Sequence, residues 1–184
     1  MRGLAMLLVL VALLGMSAWL ADPPMLRALP EAIRLWRLPA PDAVAVPVRD
    51  VAARRIADTW GAQRSGGRRH EGTDIFAPRG TPVLSATRGI VVRIGEGGIG
   101  GRVVWVLGPG GERHYFAHLD EWAPGLHHYQ VVRAGDPLGI VGDTGNARGT
   151  PPHLHYGIYA EDGARNPHPR LRDPDRPVDP PHAR

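Results

Sequence analysis

Five of the nine histidines in this 184-residue chain fall in three short stretches. These are His70-Glu71-Gly72-Thr73-Asp74, His114-Tyr115-Phe116-Ala117-His118-Leu119 and His153-Leu154-His155-Tyr156. Two imidazoles and one carboxylate make an N,N,O donor set. Catalytic zinc sites use three protein ligands of this kind and leave the fourth position to water. Further histidines nearby can move protons near neutral pH. There is no cysteine, so disulfides and thiolate ligation are excluded and any metal must be held by nitrogen and oxygen. The pattern implies metal-assisted hydrolysis.

On a strand, His153 and His155 point the same way while Leu154 faces the core, with the two Cα atoms roughly 6.6 Å apart. One ring can then ligate a metal while the other reaches its bound water. His70 and Asp74 are four apart, which fits one face of a helix or of a strand. The helical version, His-Glu-x-x-Asp, echoes a zincin helix with Glu71 as general base. Against it stand Gly66, Gly67 and Gly72, the β-branched Thr73 and Ile75, and the closing Pro78 and Gly80. A straight strand would separate the two Cα atoms by roughly 13 Å, so sharing one ion requires a bend, expected at Gly72. In that setting Glu71 faces away from His70. Period two places Phe116 and His118 on one face, with His114 further along it, opposite Tyr115 and Ala117. His127, His128, His168 and His182 sit in loop-like or tail sequence and are expected to be solvated.

The elements that must position these residues read as short strands. Residues 81–86, 89–94, 102–107, 112–118, 138–142 and 153–159 are strand-length runs separated by turn signals, and residues 51–60 carry a helical pattern. The glycine clusters at 95–101 and 108–111 lack the Gly-Lys-Ser/Thr ending of a phosphate loop and read as turns. Residues 1–21 hold an apolar run behind Arg2, at the border between a signal peptide and a membrane anchor. Residues 22–47 form a proline-rich spacer with one amphipathic helix broken near Pro30. The folded domain is expected at 48–166, and 167–184 as a tail rich in proline, arginine and aspartate whose last dozen residues are disordered. All 22 basic residues are arginine, and the net charge of +4 suits an anionic partner such as a cell envelope. The arginines are scattered and aromatics few, so no nucleic-acid role is expected.

His-x-x-x-Asp, Ala-His-Leu and His-Leu-His, in this order, resemble the lysostaphin/LytM-type zinc metallo-endopeptidases that cut peptidoglycan peptides. Gly-Arg-Arg-His-Glu-Gly-Thr-Asp-Ile at 67–75, Gly-Thr-Pro-Val at 80–83 and Gly-Asp-Thr-Gly-Asn at 142–146 agree with it. The resemblance covers roughly residues 48–166. It implies a mainly β fold, an antiparallel sheet of barrel-sandwich character with a groove across it, behind an N-terminal helical segment. It also implies Zn2+ held by His70, Asp74 and His155, with His118 and His153 as the catalytic histidines. The implied activity is hydrolysis of cross-links or stem peptides in peptidoglycan by a monomeric, exported enzyme of the periplasm or cell envelope, attached to the inner membrane if the first segment stays uncleaved. The alternative is a non-catalytic envelope protein that activates a cell-wall amidase; the filled motif positions weigh against it.

Overall fold

A computed structural model describes residues 23–173. Its strands are β1 (Val44–Ala45), β2 (Thr73–Phe76), β3 (Pro82–Leu84), β4 (Gly89–Gly97), β5 (Gly101–Leu107), β6 (Arg113–Trp122), β7 (Val131–Val132), β8 (Pro137–Val141), β9 (His153–Ala160), β10 (Gly163–Arg165) and β11 (Leu171–Arg172). Nine of them form one antiparallel sheet along the path β10-β9-β6-β5-β4-β7; β2 lies on β9, β8 on β6 and β3 on β8. β1 and β11 make a separate parallel pair. The expected mainly β, antiparallel architecture is what the chain adopts, and each strand run read from the sequence overlaps an observed strand.

One face of the sheet is dry. Val91, Val104, Val106, Phe116, Leu119, Leu154, Tyr156 and Ile158 alternate with residues of the other face and pack into one cluster, all of them fully buried. Val44, Val46 and Leu171 join this core from β1, β11 and the segment between, outside the span of 48–166 expected for the folded domain. The opposite face carries Trp105, Tyr115, Tyr159 and His155, whose rings lie 4.4–5.8 Å from one another in successive pairs.

Strand β6 joins two partners. Residues 113–117 pair with β9, and residues 119–122 pair with β8. The change falls at His118, whose φ is +63°. A left-handed residue breaks strict alternation. Phe116 and Leu119, three apart, therefore both enter the core, and His118 swings to the other face. The expected common face for Phe116 and His118 is thus corrected: His114 stays with Phe116 in the core, and His118 joins the face of His155.

Two helical expectations also change. Within 51–60 only a single 3-10 turn forms, Ala53–Arg55. The backbone N–H of Ala53 donates to the Asp173 carboxylate at 2.6 Å, so this segment is held by tertiary bonds while Val51, Ala53 and Ile56 pack on the core. Conversely, helix α1 (Pro24–Arg37) runs unbroken through Pro30. A proline inside a helix costs about 3 kcal/mol. Burial of Ala28 and Leu35 against Ile90, together with the two-pronged Arg88–Glu31 ion pair, holds the helix in place despite it. The expectations for residues 1–22 and 174–184 lie outside the described residues. No described helix is long and apolar enough to cross a membrane.

Candidate metal centre

His70 precedes a bend at Gly72, and Asp74 follows on β2, directly opposite His155 on β9. The bend brings three donor atoms together. His70 Nε2 lies 3.0 Å from Asp74 Oδ1, His155 Nδ1 lies 3.1 Å from the same oxygen, and the two nitrogens are 2.8 Å apart. Gly72 is required by space rather than by φ. A Cβ there would sit 2.6 Å from His155 Cε1 and 2.7 Å from the Tyr156 carbonyl oxygen.

The surrounding bonds fix which atoms face inward. His70 Nδ1 donates to the Thr59 carbonyl at 2.7 Å, leaving Nε2 as a lone pair. The Asp74 backbone N–H donates to Thr59 Oγ1 at 3.0 Å, so one residue braces both partners. Arg64 donates to Asp74 Oδ2, which leaves Oδ1 alone to face the imidazoles. Burial pulls the Asp74 pKa upward, but the close approach of His155 and His70 more than offsets it and holds the carboxyl well below the usual range. His155 is pushed down by burial despite the nearby Asp74 carboxylate.

Lone pairs and a carboxylate oxygen packed about 3 Å apart repel one another unless a cation sits among them. Bonds of about 2.0–2.1 Å at tetrahedral angles place ligand atoms at roughly this spacing. The residues present therefore fit a zinc ion, which His70 Nε2, Asp74 Oδ1 and His155 Nδ1 would hold.

His118 and His153 stand beside this triad. Their rings are 5.0 Å apart, and that of His118 is 5.9 Å from His155. His118 Nδ1 donates to the Thr144 carbonyl and His153 Nδ1 to the Pro151 carbonyl, each at 2.8 Å. Both rings thereby keep Nε2 as the atom available to the groove. Burial, aided by the neighbouring His153 and His155, lowers the His118 pKa to about 4 against the opposing Thr144 bond. Thr144 itself is tied in place, its hydroxyl donating to the Leu119 carbonyl and accepting from the Arg102 N–H.

All five residues singled out in the sequence meet in this groove. His168 is not simply solvated: its Nε2 donates to the Ile56 carbonyl at 2.9 Å. Sequence reasoning missed Thr59, Arg64 and Tyr115, which brace the donors or line the groove. It quoted Thr144 only as part of a motif. None of these carries a local signal, because each acts through a backbone atom or across a strand.

Fold and donor set together define the class: a β-sheet domain with one candidate N,N,O metal centre among the described residues, as in metallopeptidases. The chain belongs to Peptidase family M23, whose model matches residues 68–167. It is 41% identical over 141 residues to the L-Ala–D-Glu endopeptidase of Bacillus subtilis, covering 71% of this chain and 43% of that protein. It is 35% identical over 127 residues to the cell division protein DipM of Caulobacter vibrioides, covering 68% of this chain and 19% of that one. The catalytic domain of lysostaphin from Staphylococcus simulans superposes with a TM-score of 0.55 at 29% identity, over 62% of this chain and 89% of that domain. The chain spans less than half the length of these curated relatives.

Proposed function

We propose that this chain is a zinc-dependent endopeptidase of the cell envelope that hydrolyses peptide bonds in the cross-links or stem peptides of peptidoglycan. The observation that carries this reading is the convergence of His70, Asp74 and His155 within about 3 Å, with two further histidines presenting Nε2 to the same groove. Family membership and the B. subtilis relative support the substrate class.

Zinc at this site would polarise the scissile carbonyl and lower the pKa of water at its open vertex. The chain supplies the rest. Tyr115, Trp105 and Tyr159, their rings tilted against one another, give an extended peptide an aromatic surface beside the ligands. His118 and His153 handle the protons. An Nε2 that accepts the proton of the attacking water leaves an imidazolium whose Nδ1–H is already bonded to a carbonyl, which offsets part of the cost that burial puts on the charge. The same proton then passes to the leaving amine. The second imidazole orients the carbonyl oxygen as charge develops on it. Glu71 lies exposed.

Purified protein incubated with isolated cell walls, with and without a chelator, should release muropeptides only in the zinc-loaded sample, and mass spectrometry identifies the bond. No release at any metal loading would overturn the proposal and favour the amidase-activator alternative.

A further inference from the structure

Helix α1 has two apolar faces; the fold packs one and touches the other at Trp36, whose ring lies beside Gly111. Ala28, Ala32 and Leu35 pack toward Ile90 of β4. Met25, Leu26, Leu29 and Ile33 remain 46–54% exposed, and Trp36 is 68% exposed. At 100° per residue these five fall within an arc of about 100°, adjacent to but distinct from the packed face. In the last turn Arg37 borders one edge of that arc and Arg34 lies further round on the same side. An apolar stripe on a soluble face is costly to leave in water.

What lies before the helix indicates what covers it. The apolar run of residues 4–21 ends two residues ahead of Pro24. A segment of that length and character partitions into a bilayer. On a chain that keeps this run, the helix start is held at the membrane surface. Leu, Ile and Trp on one side with arginines at the margin is the pattern of a helix lying in the interfacial plane, its basic groups meeting anionic headgroups.

We propose that α1 lies in the interface of an anionic bilayer, with the stripe of Met25, Leu26, Leu29, Ile33 and Trp36 facing the lipid. This is separate from the peptidase reading and stands without it. It also fixes where the groove sits. Ile90 pairs with Leu107, Leu107 with Arg113 and Arg113 with Tyr159, so the face of the sheet that α1 covers is the face that carries His155. The groove therefore opens on the same side of the sheet as α1, three strands along from the helix.

The chain's lack of cysteine makes the test clean. Leu29→Cys, Ile33→Cys and, in the β9–β10 turn, Glu161→Cys are each introduced into the full chain and labelled with an environment-sensitive fluorophore. Each is reconstituted into phosphatidylcholine vesicles with and without phosphatidylglycerol. On anionic vesicles, iodide quenching at 29 and 33 should fall roughly threefold or more relative to 161, and nitroxide-bearing lipid should quench 29 and 33 alone. Adding Arg34→Glu and Arg37→Glu should return the anionic result to that of neutral vesicles. Iodide access at 29 and 33 equal to that at 161 overturns the proposal. So does shielding without quenching by nitroxide lipid, which would mean that a second copy of the chain covers the stripe. Equal shielding on neutral and anionic vesicles overturns the role of headgroup charge.

Discussion

Strand β6 carries two histidines four residues apart, and they live in different worlds. His114 is fully buried on the dry face between Val106 and Ile158, with Nδ1 2.7 Å from the Tyr156 hydroxyl. Burial, together with the positive charge of Arg170, drops its pKa to about 3. Its Nε2 has no hydrogen-bond partner. His118 sits on the wet face with its Nδ1 tied to a carbonyl and its Nε2 presented to the groove. Residue type and spacing do not distinguish the two. The separating event is one left-handed residue where β6 changes partners, and strain of that kind costs about 1–3 kcal/mol, maintained by the structure around it. The two differ in what the second nitrogen is left to do: that of His114 is sealed in the core, that of His118 faces the groove.

The sharpest way to break the comparison is at the wet face. His118→Ala and His153→Ala should each lower cell-wall cleavage by roughly 10²–10⁴-fold while zinc content stays at one per chain. Loss of zinc in either variant would mean that the ring is a ligand and the division of labour is wrong. Next in size is Gly72→Ala. The added methyl must displace His155, so zinc affinity measured by chelator competition should fall by about 10–100-fold, the usual scale for disturbing a ligand's support. Unchanged affinity would show that His155 does not need its observed position. Arg64→Ala should weaken zinc binding by a smaller factor, about 10-fold, and Arg64→Lys should restore part of it, because a cation at Asp74 Oδ2 keeps Oδ1 turned inward.

The dry face predicts an effect on stability alone. His114 folds neutral, with a pKa depressed below that of the unfolded chain. Its contribution is fully present above about pH 6.5 and is lost as pH falls toward 3, because the unfolded chain binds a proton that the folded chain refuses. Between pH 6.5 and pH 5 this amounts to about 2 kcal/mol. His114→Gln can still bond Tyr156 but cannot titrate, so denaturant midpoints of the variant should vary less with pH over this window. An unchanged pH slope would show that His114 is not the group responsible.

Much of this was legible in advance, for physical reasons. Alternation of apolar and polar residues gave β5, β6 and β9, and the same period put His153 and His155 on one face. The reach of two side chains to one ion demanded a bend at Gly72, which is where the chain bends. What was not legible depends on partners distant in sequence. The partner switch at His118 follows from β8 arriving beside β6. The absent helix at 51–60 follows from Asp173 taking the Ala53 N–H, and the persistence of α1 through Pro30 from Arg88 and Ile90. Arg64 and Thr59 gain their roles only once the loop preceding His70 folds back on Asp74.

The account's central claim is tested most directly by a crystal structure of the zinc-loaded chain, with the metal located by its anomalous scattering. The account predicts a single zinc peak bounded by His70 Nε2, Asp74 Oδ1 and His155 Nδ1, with solvent on the groove side and both His118 and His153 uncoordinated. A peak elsewhere, or a fourth vertex filled by either of those histidines, would contradict it.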